Sequence, residues 1–106
     1  MIDETAIERE IQRKGLTAPR LTPDTIDSVI DSEQYYVFSG VMTVCCLTLN
    51  NGYMVIGESA CASSENYDPE LGRKIARANA RNKIWALEGY LLRQLLKDRE
   101  VAVYGD

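Results

Sequence analysis

The sequence contains no histidine, and this absence removes the most common catalytic chemistry. Histidine is the usual general base near neutral pH and the usual partner of a serine or cysteine nucleophile. Ser-His and Cys-His catalysis is therefore excluded. No carboxylate or lysine groups are paired at a spacing that indicates catalysis. We therefore expect a non-enzymatic protein, without catalytic residues and without a cofactor, whose role is to bind a ligand or partner.

Cysteine is also scarce, with three residues and no CxxC pair. Cys45 and Cys46 are adjacent and point to opposite faces of a strand, and the odd count leaves one thiol unpaired in any disulfide scheme. Closed zinc sites normally use four Cys or His ligands. We therefore expect no metal site, and cysteines that act as small buried apolar residues.

Long apolar runs are missing as well. None approaches the roughly 20 residues of a membrane helix, and the N-terminus is charged from Asp3 with no apolar signal core. We expect a cytoplasmic protein that does not bind membranes. The net charge of −4 also disfavours binding to duplex nucleic acid.

The 106 residues, 45% hydrophobic and 26% charged, predict one globular domain of the α+β class. Residues 1–20 form a peripheral helix and linker, and residues 21–100 form the core. Helix formers with a thin apolar stripe predict a weakly docked helix from Asp3 to Lys14. A cap at Thr22 and a proline at the first helical position predict a second helix over residues 23–33, with Ile26, Val29 and Ile30 buried.

Two runs rich in β-branched and aromatic residues, 35–49 and 53–62, flank an Asn-Gly pair. Asn-Gly is typical of a two-residue type I′ turn, so Asn51-Gly52 predicts a β-hairpin. In this register Leu49 pairs with Met54 and Leu47 with Ile56. Both faces of the hairpin are then largely apolar or small, so one face needs covering helices and the other a partner such as a second copy of the chain.

Asp68 and Pro69 open the longest predicted helix, which ends in the charged KDRE segment. For the tail VAVYG the sequence is compatible both with a short strand and with a disordered segment. Gly89, on the predicted buried face, predicts a close approach of the helix to the sheet or to a partner. That predicted face consists of Leu71, Ile75, Ala78, Asn82, Trp85, Gly89, Leu92 and Leu96.

Basic residues concentrate on this helix although the chain is acidic overall. Arg73, Arg77 and Arg81 recur every four residues, and such like charges repel one another. Either acidic side chains of the second helix or a bound anion would offset this repulsion, and the alternative is a solvated, partly ion-paired face. The asparagines of the helix either cap backbone groups or recognise a base or ribose. The candidate ligand-binding residues are Asn66, Tyr67, Arg73, Arg77, Asn79, Arg81 and Asn82.

The stretch VCCLTLNNGYMVIGESACASSENYDPELGRKIARANARNKIWALEGYLL, from Val44 to Leu92, resembles a family of small tailed-phage and prophage proteins. The resembling motifs are CCLTL, the NG turn, GESAC, NYD, GRKIA and NKIWALEGYLL. We expect this family to include the anti-Thoeris proteins of the first kind, which sequester a cyclic ADP-ribose-type immune signal without cleaving it. The resemblance implies dimers or hexamers with ligand pockets at subunit boundaries, in the cytosol of the bacterial host.

Three hypotheses follow for the function. The leading one is a phage anti-defence sponge that binds a cyclic nucleotide. The first alternative is a structural or host-takeover interaction protein without a small ligand, which uses the second apolar sheet face. The other is a metal-dependent phosphodiesterase, for which Glu58, Glu65 and Asp68 are the clustered carboxylates of the matched stretch.

Overall fold

The computed structural model of the protein describes residues 3–104. A three-stranded antiparallel sheet in the order β1-β2-β3 packs one face against a long helix, which confirms the expected α+β class. Two short helices precede the sheet, and a 3-10 turn at Ser64–Asn66 leads into the long helix. The elements are α1 (Glu4–Arg13), α2 (Pro23–Ser28), β1 (Ile30–Phe38), β2 (Met42–Leu49), β3 (Met54–Ala60) and α3 (Pro69–Tyr104).

The helix starts follow the capping residues of the sequence. The Asp3 side chain accepts the Ala6 backbone N–H, and Thr22 forms a capping box with Thr25 at the start of α2. The predicted extension of the second helix to residue 33 is wrong, because α2 ends at Ser28. The chain from Ile30 onward pairs with β2 instead, so non-local backbone hydrogen bonds override the local helical pattern.

The hairpin between β2 and β3 forms at the predicted place but in a different register. Leu47 pairs with Val55 and Thr48 with Met54, and the Leu49 N–H donates to the Tyr53 carbonyl oxygen at 2.7 Å. The loop therefore has three residues, 50–52, of which Gly52 has a positive φ of 89°. The predicted two-residue type I′ turn is wrong, because a three-residue loop needs one left-handed position and Gly52 supplies it. The slip of one residue turns Val55 toward the core and Ile56 toward the open face.

The face of α3 that meets the sheet is a row of small residues, Gly72, Ala76 and Ala80, followed by Ile84. The predicted buried face is wrong over its first half, since Leu71 and Ile75 are exposed and so is Asn82. The reason is steric. A Cβ on Gly57 of β3 would lie 2.5 Å from the Ala76 carbonyl oxygen, so only small side chains fit between helix and sheet.

The core lies between this helix face and the inner sheet face. Its buried members are Ile26, Cys45, Leu47, Leu49, Val55, Ala76, Ala80 and Ile84. Cys45 is a free thiol in this core, as expected, and burial raises its pKa, while Cys46 and Cys61 are free and half-buried. The C-terminal segment Val101–Tyr104, left open from the sequence, continues α3.

The opposite sheet face is open. Its exposed apolar side chains are Tyr36, Phe38, Met42, Met54 and Ile56. The rings of Tyr36 and Phe38 lie 4.5 Å apart on β1. The expectation that both hairpin faces are apolar is confirmed, although the register assigns different residues to each.

The close contact at Gly57 predicts a strong position-specific effect of one added methyl group. Gly57→Ala would press its Cβ against the backbone of Ala76 and Ala80 and should destabilise the fold by about 1–3 kcal/mol. Gly89→Ala is the matched control, because its Cβ would meet only Leu21 Cδ1 at 3.9 Å. The expected close approach at Gly89 is thus absent within the described chain, and alanine there should be neutral or stabilising by up to about 1 kcal/mol. Urea denaturation measures both, and equal effects would contradict this account of the helix–sheet contact.

Candidate functional site

A cleft of about 1220 Å³ lies between α1 and α3. One wall is α1, the other is the α3 face that neighbours the buried row, and Arg20, Leu21 and Pro23 complete the lining. Apolar side chains of both helices and a dense set of charged groups share the lining. Its lining includes Glu4, Ile7, Arg20, Lys74, Arg77, Asn79, Arg81, Asn82 and Trp85.

The structure divides the candidate residues predicted from the sequence into two groups. Arg77, Asn79, Arg81 and Asn82 line the cleft. Asn66, Tyr67 and Arg73 lie before or in the first turns of α3, and Arg81 is about 18 Å along the helix axis from its first residue. Asn66 and Tyr67 precede the helix, and Arg73 lies one turn before Arg77, but none of the three is among the residues that line the cleft.

Arg81 is the most heavily bonded side chain of the cleft. Its Nη1 donates to both carboxylate oxygens of Glu4, at 2.9 and 2.7 Å. Its Nε donates to Asp27 Oδ1 at 2.7 Å, and its Nη2 donates to the Pro23 carbonyl at 3.2 Å. The side chain is only 15% exposed. The hydrogen bonds that it donates, first to Glu4 and then to Asp27, raise the pKa of Arg81.

Trp85 lies one turn further along the same row and shares the Glu4 carboxylate. Its indole Nε1 donates to Glu4 Oε2 at 3.1 Å. Trp85 packs against the core, as the sequence pattern predicts, but its side chain is only half-buried and also lines the cleft. Glu4 thus joins two donors of α3 to the first turn of α1.

Arg77 pairs with β1 instead of α2. Its Nε donates to Glu33 Oε2 at 2.6 Å, and this hydrogen bond lowers the pKa of the Glu33 carboxyl group. Both side chains are more than a third exposed, so the pair is a surface ion pair of small energy. The acids expected to offset the arginine repulsion are therefore present, and they come from α1, α2 and β1.

The asparagines of the cleft have different environments. Asn79 Nδ2 donates to the Glu58 carbonyl oxygen of β3 at 2.8 Å. Asn79 therefore caps a strand backbone group, which is the first of the two roles expected for the asparagines of this helix. Asn82 is exposed in the cleft and not buried as expected. Its position next to Arg81 leaves its amide available to a ligand.

Sequence reasoning missed several cleft residues. Arg20 donates to both oxygens of Glu8 and ties the linker to α1, and Lys74 lines the cleft one turn before Ala78. The signal that could have found the α1 wall is the i, i+4 spacing of Glu4 and Glu8. That spacing places two carboxylates on one helix face.

The described residues provide neither the ligand cluster of a metal centre nor a helix that could span a membrane. Within residues 3–104, no three Cys, Asp or Glu side chains gather where they could hold a metal ion. In that same stretch no helix combines the length and apolar character that crossing a membrane requires.

The Arg77–Glu33 pair predicts a pH dependence of stability. The pKa of Glu33 is lower in the folded protein than its unfolded value of about 4.3, so the pair stabilises the fold fully above that pH and ceases to do so as pH falls through the lowered pKa. The melting temperatures of the wild type and Glu33→Gln should therefore differ most at pH 6–7 and converge as the pH falls below about 4.3 and through the lowered pKa of Glu33. Glu65→Gln, at an exposed position, is the control. A difference that grows toward pH 3 would contradict the assignment.

Comparison with known proteins places the chain. Neither curated proteins nor solved structures yield a significant match. A family model described as Phage protein (N4 Gp49/phage Sf6 gene 66) family matches residues 21–96, which comprise all elements except α1 and the end of α3. This match covers more than two thirds of the chain and confirms the expected relation to phage proteins. The protein belongs to the Phage protein (N4 Gp49/phage Sf6 gene 66) family.

Proposed function

We propose that this protein is a phage anti-defence protein that binds a cyclic nucleotide immune signal of the cyclic ADP-ribose type and sequesters it uncleaved. The observation that carries the proposal is the cleft, which is lined by Arg77, Arg81, Asn82 and Trp85. A volume of about 1220 Å³ accommodates a dinucleotide-sized ligand, since small-molecule sites typically have about 300–1000 Å³.

The side chains of the cleft match the chemistry of such a ligand. Guanidinium forks bind phosphate oxygens through two parallel hydrogen bonds, and Lys74 adds a further positive charge. The half-buried indole of Trp85 offers a flat apolar surface to a base. The Asn82 amide can donate to and accept from the edge of a base or ribose.

The acidic groups around the arginines are compatible with this role. In the ligand-free protein they supply the negative charge that the guanidinium groups need in a half-buried cleft. A phosphate brings equivalent charge and oxygen atoms, so binding exchanges one anion for another. The role requires binding groups and no catalytic base, consistent with a sequence that contains no histidine.

Asn66 and Tyr67 precede α3 and do not line the cleft, so they fit the proposal only in an oligomer in which a second chain brings them to it. Arg73 lies on α3 one turn before Arg77 and next to Lys74, so it extends the basic row toward a bound phosphate. The open sheet face, with Tyr36, Phe38 and Ile56 exposed, is an apolar surface through which two copies could pack. We propose a homo-oligomer, a dimer or a hexamer, in the bacterial host cytosol.

The sponge role predicts that the ligand is returned unchanged. The protein is incubated with a cyclic ADP-ribose isomer, separated from free ligand by gel filtration and then heat-denatured, and the released compound is identified by mass spectrometry. Intact cyclic ADP-ribose in near-stoichiometric amount is the expected result. Linear ADP-ribose would show an enzyme instead, and no retained compound would contradict the proposal for this ligand.

A charge swap separates the two roles of Arg77. Arg77→Glu should reduce ligand retention more than a hundredfold, because it removes a charge-assisted hydrogen bond and adds repulsion. The double variant Glu33→Arg/Arg77→Glu can restore an ion pair between these two positions, with the charges exchanged, but leaves a carboxylate at position 77. Restored melting temperature without restored retention is expected. Full recovery of retention in the double variant would show that Arg77 acts only through Glu33.

The second candidate function is an interaction protein without a small ligand, and the open sheet face favours it. A contiguous apolar surface of this kind commonly binds another protein. A thermal-shift panel of cyclic nucleotides discriminates the two functions, since a ligand at 100 times its dissociation constant stabilises its protein by about 2.7 kcal/mol. The absence of any shift across the panel would favour the interaction protein.

A further inference from the structure

The carboxylate of Glu4 is bound as an oxyanion ligand would be. Arg81 Nη1 donates to both of its oxygens and Trp85 Nε1 donates to one, so two side chains of successive turns of α3 converge on one group. We infer that Arg81 and Trp85 form a phosphate-binding seat, and that Glu4 occupies it in the ligand-free protein as an internal substitute for the ligand. α1 is then a displaceable lid over the cleft, and the inference rests on the proposed nucleotide-binding function.

The seat stays assembled when Glu4 leaves. Asp27 and the Pro23 carbonyl oxygen hold the Nε and Nη2 atoms of Arg81 from the α2 side. The guanidinium group therefore keeps its orientation, with Nη1 directed to the cleft. A binding group held in place by other contacts loses little conformational entropy when a ligand arrives.

The exchange also balances in charge. A phosphodiester group carries one negative charge, as the Glu4 carboxylate does, so replacing one with the other leaves the charge at Arg81 unchanged. The Trp85 N–H, which would otherwise lose its acceptor, gains a phosphate oxygen. Neither donor is left unpaired in either state, which keeps the cost of exchange low.

α1 is attached in a way that allows its displacement. The helix contains no buried residue, and its Ile7 side chain is 45% exposed. Besides the Glu4 contacts, a second tie is the pair between Glu8 and Arg20 of the linker. The linker includes Gly15 with a positive φ of 67°, and the core residues of the sheet and α3 do not involve α1.

The consequence is a measurable competition. Glu4 occupies the seat for most of the time. The apparent affinity for an external anion is then the intrinsic affinity multiplied by the fraction of time for which the seat is vacant. Removing the Glu4 charge should therefore tighten anion binding without any change to the seat. Loss of a merely structural contact would instead lower stability and leave affinity unchanged.

The test uses inorganic pyrophosphate as the probe and the single tryptophan of the chain as the reporter. Trp85 fluorescence is followed during titration of the wild type, Glu4→Gln and Glu10→Gln in magnesium-free buffer. Glu10 is on the same helix and pairs with Arg13 and Lys14, outside the seat, so it is the matched control. The pyrophosphate concentration at the midpoint of the titration should be at least tenfold lower for Glu4→Gln than for the wild type, and unchanged for Glu10→Gln.

Further outcomes separate the seat from the nucleotide hypothesis. Arg81→Gln in the Glu4→Gln background should abolish the gain, and a gain that persists would place the anion elsewhere and overturn the inference. Equal midpoints in wild type, Glu4→Gln and Glu10→Gln would also overturn it, whether or not a nucleotide is retained. A lower midpoint in Glu4→Gln together with no retention of cyclic ADP-ribose would support the seat and reject the proposed ligand.

Discussion

The close contact between Gly57 and the row of small residues on α3 determines the rest of the structure. The backbone atoms of Ala76 and Ala80 lie so close to Gly57 of the sheet that no Cβ fits between them. α3 therefore cannot rotate about its axis without a steric clash. Residues one position further along the chain then lie about 100° around the helix from the buried row. This places Arg77, Arg81 and Trp85 in one line beside the sheet, where α1 and α2 approach.

Three acidic residues from three different elements meet this line. Glu4 of α1 and Asp27 of α2 bond Arg81, and Glu33 of β1 bonds Arg77. Half-buried guanidinium groups need such partners, because an unpaired charge away from water is costly. In our account the partner supplied by α1 is the replaceable one, since α1 buries no residue of its own.

Much of this fold follows from local sequence signals. The caps at Asp3, Thr22 and Asp68 and the Asn-Gly turn region depend on neighbouring residues, and the helix starts and the hairpin form close to their predicted positions. The predicted β run 35–49 is wrong as one strand, because the chain turns at residues 39–41 and β1 begins at Ile30. The end of α2, the hairpin register and the rotation of α3 depend on contacts distant in sequence. For example, Val55 points toward the core because it pairs with Leu47, and the residues next to Val55 do not determine this pairing.

The candidate site was partly predictable for the same reason. The i, i+4 arginine repeat identifies the α3 wall from sequence alone, and Arg77 and Arg81 do line the cleft. The ion-pair partners could not be assigned, because Glu4 and Arg81 are 77 positions apart and meet only through the packing of α1. Trp85 was missed because large apolar residues suggest a core, whereas the core here takes small side chains at the helix–sheet contact.

The central claim is that Arg81 and Trp85 hold either Glu4 or a phosphate group. A crystal structure of the protein with a bound cyclic ADP-ribose isomer tests it most directly. We predict a phosphate oxygen within hydrogen-bonding distance of Arg81 Nη1 and of Trp85 Nε1, with the Glu4 side chain displaced from both. A ligand bound elsewhere, with the Glu4 carboxylate still bonded to Arg81 and Trp85, would contradict the account.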